Sequence, residues 1–109
     1  PLRTRVEELT VRGSLVNSVV RRAVQRLVPR FEECVSQAQR SAGSSGAMSD
    51  GTRVSLEIDE RGRARGVTTG GGALPGLDAC VARASAHLIC DELPDTGTVF
   101  VSWNVVFSP

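Results

Sequence analysis

Lysine and tyrosine are absent from this 109-residue chain, which holds one histidine, one tryptophan and one methionine. Without lysine, the run Gly70-Gly71-Gly72 cannot be a P-loop, whose glycine cradle needs a following Lys-Ser/Thr, and it lacks the spacing of a dinucleotide fingerprint. It reads as a hinge or connector. All 13 basic side chains are arginine, a bias that fits a GC-rich genome better than any chemical need. With tyrosine missing, there is little aromatic surface on which to stack nucleic-acid bases. No apolar run is long enough to cross a bilayer, and no basic-then-apolar signal peptide opens the chain. A nucleophile, a base and a stabiliser in one pocket have little to draw on. The lone His87 stands three residues before Cys90, and two ligands do not make a metal site. The expectation is a protein with no catalytic residues, no metal and no cofactor.

What is present is ordinary for a globular domain: 40% hydrophobic and 23% charged residues. The length suits one domain over residues 1–109, small enough to gain from a covalent tie. Because the chain begins at Pro1, it is expected to be a piece of a longer protein, with any membrane anchor outside it. The net charge of +1 conceals an imbalance. Residues 1–65 hold 12 arginines against eight acids, whereas residues 66–109 hold Arg83 against Asp78, Asp91, Glu92 and Asp95. Such a polar molecule can orient on a partner, although a solvated surface with complementary halves is the favoured account of the pattern.

Along the chain, Glu7–Arg12 is a short candidate strand ended by Gly13, with Ser14 as the N-cap of a helix. Val16, Val20, Ala23, Leu27, Phe31, Cys34 and Ala38 recur at steps of three and four, the stripe of one amphipathic helix. Pro29 removes a backbone donor within it. Since the stripe keeps its phase, the expectation is a single kinked helix ending near Arg40. Arg22, Arg26 and Arg30 follow at four-residue steps on its polar side. Ser41–Gly51 is small, polar and glycine-containing, and reads as a flexible loop. Val54, Leu56 and Ile58 then alternate with Arg53, Ser55 and Glu57. Asp59-Glu60-Arg61-Gly62 supplies turn chemistry, and Arg63–Thr69 returns as the second arm of a hairpin. A helix over Pro75–Asp91 carries the stripe Leu77, Val81, Ala84 and Leu88. Thr98–Phe107 alternates again, with Val99, Val101, Trp103, Val105 and Phe107 on one face and a half-polar set on the other. The fold class expected is α+β, in the order β-α-β-β-α-β, with two helices packed on one face of a small antiparallel sheet.

Three cysteines remain to be placed. On a continuous helix Cys80 and Cys90 would be roughly 15 Å apart, beyond the reach of a disulfide. Cys34 can therefore pair with Cys80, pair with Cys90, or stay reduced with both. A Cys34–Cys80 bond would close a loop of about 45 residues, worth on the order of 4 kcal/mol in the chain-entropy account.

The succession VRGSLVNSVVRR…FEECV, RVSLEIDERGRAR, LDACVARA and VFVSWNVVF, over about Leu9 to Phe107, resembles the AgmX/PglI C-terminal domain. This is a TonB-like family of Gram-negative, chiefly myxobacterial, envelope proteins. In the resemblance Cys34 and Cys80 match the paired cysteines, Ile58 and Gly62 the strand-turn signature, and Trp103 through Phe107 the terminal aromatic strand. The chain departs from the family in lacking a Tyr after its first Cys, in having Asn104 where a Pro is usual, in its extra Cys90, and in the Ser41–Gly51 loop.

The resemblance implies a Cys34–Cys80 disulfide and a TonB/TolA-like fold. It also implies a periplasmic location, anchored to the inner membrane through a segment outside this chain, in envelope transport or gliding motility. The implied role is to hold a protein or peptide partner, in the periplasm or outer membrane, by adding a strand to the sheet edge. Thr98–Phe107 is the candidate edge, through Val99, Val101, Trp103 and Val105, and Arg22, Arg26 and Arg30 are a candidate basic contact face. No direct membrane insertion and no nucleic-acid partner are expected. One alternative is a structural or oligomerisation module of the same fold, pairing with a second copy. Another is a ferredoxin-like RNA-binding domain, disfavoured because the strand Arg63–Thr69 carries no aromatic residue.

Overall fold

A computed structural model describes residues 3–43, 50–95 and 97–108. The fold is α+β, with three helices and a four-stranded, wholly antiparallel sheet. The elements are β1 (Arg3–Arg12), α1 (Asn17–Gln25), α2 (Val28–Ala42), β2 (Asp50–Ile58), β3 (Ala64–Gly70), α3 (Leu77–Ser85) and β4 (Val99–Ser108). The sheet order is β1-β4-β2-β3.

Alternation in the sequence translates directly into the two faces of the sheet. Val54, Leu56 and Ile58 of β2 and Val99, Val101, Trp103, Val105 and Phe107 of β4 are all buried beneath the helices. Burying an apolar side chain of this size stabilises the fold by about 1.5–3 kcal/mol, and these two strands supply the sheet's side of the core. Trp103 lies fully buried at the centre, its ring 6.4 Å from that of Phe31 on α2. On the opposite face Phe100 is half exposed, in register between Arg12 of β1 and Glu57 of β2.

β4 is the middle strand, and this corrects the expectation that it forms a free edge. It pairs with β1 from Arg3↔Ser108 to Arg12↔Phe100, and with β2 from Asp50↔Phe107 to Ile58↔Val99. Its hydrogen-bonding groups are therefore taken on both sides, and Val99, Val101, Trp103 and Val105 point into the core. The edges are β1 and β3. Each is interrupted by a register shift, between Glu7 and Thr10 in β1 and opposite the Ser55–Glu57 stretch in β3. Glu8 there has φ 55°, the one non-glycine residue at positive φ among the described residues, and its carboxylate accepts from Asn104 Nδ2 at 2.7 Å. Gly66 takes φ 62° in the β3 irregularity. Bulges at both edges bend the strands away from flat pairing.

The single kinked helix is in fact two, because Pro29 suits the first turn of a new helix, where its missing N–H costs nothing. α1 closes with the Leu27 N–H donating to Val24 O at 2.9 Å, and α2 opens from Leu27. The apolar stripe survives the break: Val20, Ala23, Leu27, Phe31, Cys34 and Ala38 are all buried, joined by Val19, Val24 and Val35. Val16 leaves the stripe, being the N-cap and well exposed. Ser14 does not cap the helix. Its hydroxyl accepts from the Asp95 N–H at 2.9 Å and so holds the segment before β4.

Two further boundaries shift. Residues Ser41 and Ala42 belong to α2, Gly43 is its C-cap, Asp50 and Gly51 belong to β2, and the remainder of the expected flexible loop, residues 44–49, lies outside the described residues. The third helix stops at Ser85 rather than running to Asp91. Beyond it the chain extends: Leu88 O accepts from Ala64 N at 3.3 Å and Cys90 N donates to Gly62 O at 2.9 Å. Leu88–Cys90 thereby covers the start of the β3 edge. The hairpin turn matches its sequence chemistry, with Gly62 at φ 77° and the Asp59 carboxylate accepting from the N–H groups of Arg61 and Arg63 at 2.9 and 3.0 Å.

Candidate functional site

α2 and α3 lie side by side over the sheet and are joined by a disulfide between Cys34 and Cys80, with Cα atoms 5.6 Å apart. The helical stripe that buries Phe31, Cys34 and Ala38 turns Cys34 inward. Cys80 sits one turn into α3, between Leu77 and Val81, at the margin of the core. The bond borders a trough between the two helices. One cavity of about 350 Å³ is lined by Arg30, Glu33, Gln37, Arg83, Ala84 and His87 around the two cysteines. A second, of about 220 Å³, shares Cys34, Gln37, Cys80 and Arg83 with the first and extends to Ser41, Pro75 and Gly76.

The three candidate arginines do not form one face. Arg22 and Arg26 both reach Asp91, with N–O distances of 3.6 and 2.7 Å. They tie the first helix to the segment after α3, joining the arginine-rich and acid-rich halves of the chain. Arg30, beyond the helix break, lines the trough instead. Its companions there, Glu33, Gln37 and Arg83, were not singled out in the sequence. The signal was available as i, i+3 and i, i+4 spacing: Arg30, Glu33 and Gln37 on α2, and Arg83 of α3 with His87 in the turn just beyond its end.

His87 and Cys90 do not form a dyad. His87 is exposed on the trough, whereas Cys90 is buried in the extended segment beyond α3. Burial pushes the Cys90 thiol pKa up, only partly offset by the nearby Arg26 guanidinium, which keeps the sulfur protonated and unreactive. Among the described residues, no three His, Cys, Asp or Glu side chains gather as a metal site would require. The other two cysteines are bonded to each other.

The glycine connector acquires a physical reason. Gly72 N donates to Asp78 Oδ1 at 3.1 Å, while Ala73 N and Leu74 N donate to Asp50 Oδ2 at 2.6 and 3.3 Å. Thr52 Oγ1 completes the cluster, donating to Asp78 Oδ1 at 2.9 Å. These three backbone donors are thus already given to the chain's own carboxylates rather than to a phosphate. A Cβ at position 72 would stand 2.6 Å from Asp78 Oδ1 and 2.9 Å from Thr52 Oγ1, so the approach requires glycine. Asp50 and Asp78 act as internal anchors, a role that neighbouring sequence does not reveal.

Arg63–Thr69, the strand considered for base stacking, lies at the sheet edge rather than in its middle. No helix among the described residues is long and apolar enough to cross a membrane. Comparison with known proteins adds no relative: no family model, no curated protein and no solved structure matches this chain.

Proposed function

We propose that this domain is a non-catalytic protein-binding module of an oxidising envelope compartment, of the TonB/TolA-like kind, working in the periplasm on a protein or peptide partner. The observation that carries this reading is the Cys34–Cys80 disulfide, which ties two helices of a domain with a modest core. Such bonds persist outside the reducing cytosol. The ordered succession of motifs that resembles the AgmX/PglI C-terminal domain supports the same compartment.

Strand addition, if it is the binding mode, belongs to β1 rather than to the saturated β4. β1 is the longer free edge, and its core-facing Val6, Leu9 and Val11 are only half-buried. A partner strand laid beside Arg3–Glu7 would pair with the outer backbone groups of that edge and add to the burial of Val6. The bulge at Glu8 limits the contact to the first half of the strand.

The test is thiol mapping of the protein exported to a bacterial periplasm. A Cys34–Cys80 bond with Cys90 free is the expected result, and three free thiols would remove the basis for an extracytoplasmic role. The second reading, a self-pairing structural module, rests on the same free β1 edge. Sedimentation separates the two: a monomer at all concentrations fits a receptor, and a concentration-dependent dimer fits the module.

A further inference from the structure

We propose that the trough between α2 and α3 binds an acidic peptide segment in extended conformation, at a site separate from the β1 edge and independent of strand addition. Its two cavities share four lining residues, the disulfide cysteines among them, and so adjoin along the seam between the helices. Arg30, Glu33, Gln37 and Ser41 follow one another at steps of three and four along the α2 wall. From Arg30 to Ser41 that wall spans roughly 16 Å of helix, the length of about five extended residues.

The charges in the trough are unspent. Among the described residues neither Arg30 nor Arg83 has a carboxylate within 4.0 Å; most of the chain's arginines share that state, and what distinguishes these two is the cavity they share. These two guanidinium groups come from opposite walls and face the same 350 Å³ space as the His87 imidazole. Forked N–H donors from two sides suit carboxylate groups, which they bind in a bidentate way. Glu33 is the only acid in the lining, and it has no ion-pair partner among the described residues.

That carboxylate argues against a compact dianion such as phosphate and in favour of a peptide. Its oxygens, with the Gln37 side-chain carbonyl, can accept the backbone N–H groups that a peptide presents beside its acidic side chains. The disulfide in the lining adds a surface without charge, against which the segment's backbone or small side chains can lie. Charge complementarity thus selects an acidic segment, and the length of the trough selects an extended one.

The probe is an acetylated six-residue peptide alternating Asp with Gly, titrated into ¹⁵N-labelled oxidised protein, beside its Asn-for-Asp counterpart and inorganic phosphate. Saturable amide shifts over residues 30–41 and 75–87 are expected with the Asp peptide, and none with the Asn peptide. Arg30→Gln and Arg83→Gln should each weaken binding about tenfold, the worth of one charge-assisted pair. Both side chains are exposed, and the spectrum of each variant reports that it remains folded. Arg12→Gln, a charge removed from the sheet's open face, should leave the affinity unchanged.

Absence of shifts at millimolar peptide would overturn the proposal. So would equal weakening by Arg12→Gln, which marks diffuse attraction, or an equal response to phosphate, which marks a simple anion site. None of these outcomes touches the thiol map on which the envelope reading depends.

Discussion

At the scale of single residues, the polar chemistry is mostly internal. Asp50 and Asp78 hold the glycine connector, Asp59 holds the hairpin turn, and Asp91 draws in Arg22 and Arg26. The Gly72→Ala variant should lose about 1–3 kcal/mol in denaturant unfolding, because its methyl group enters the Asp78–Thr52 hydrogen bond. Cys90 should resist alkylation by iodoacetamide in the native protein at neutral pH and react once the chain is unfolded. The sign of its pH effect follows from the raised thiol pKa. Its protonated form stabilises the fold fully below the unfolded thiol's value, and that contribution is lost as pH rises through the folded one. The core and turn residues were legible in the sequence because alternation and turn chemistry are local. The anchoring aspartates were not, because Asp50 and the connector it serves are brought together only by the fold.

At the scale of elements, pattern and pairing separate cleanly. The inward faces of β2 and β4 and the stripe through α1 and α2 followed from periodicities of two and 3.6 residues. Which strand lies beside which did not, since the last strand of a chain is an edge or a centre according to long-range packing alone. Here β1 and β2 close on β4 from both sides, so the most apolar strand occupies the most buried place. The helix break was hidden for a different reason: an unbroken stripe is compatible with a kink or with a new helix, and Pro29 allows either.

The β2–β3 hairpin offers its own test. Asp59 accepts backbone hydrogen bonds first from Arg63 and then from Arg61, and these hold its carboxyl below its usual pKa. A carboxyl with a depressed folded pKa contributes stability above its unfolded value and loses it as pH falls through the folded one. Asp59→Ala should therefore speed amide exchange in the turn at neutral pH. The difference from the parent protein should vanish in acid.

At the scale of the whole molecule, the disulfide is the only covalent link between parts distant in sequence, spanning a separation of 46 residues. Replacing Cys34 and Cys80 together with alanine should lower the unfolding free energy by about 4 kcal/mol in the chain-entropy account. The loss should appear in the denaturation midpoint of oxidised protein and be absent when both proteins are compared under reductant. Helix geometry alone left open which cysteine Cys34 joins, the resemblance implied Cys80, and the structure has that bond. Cys90 lies apart from it, buried in the extended segment beyond the early end of α3. The trough itself was invisible in the sequence, because its walls are α2 and α3 and only their packing creates the space between them.

Arg3 stands opposite Ser108 in the β1–β4 ladder. The two ends of the described fold therefore leave the sheet at the same corner, within one strand spacing of each other. A load applied between those ends would act across the strands rather than along them. It would peel β1 from β4 like a zip, one hydrogen bond at a time, instead of shearing the whole ladder at once. Tension would release the β1 edge early and at low force, while the part of the fold closed by the disulfide held.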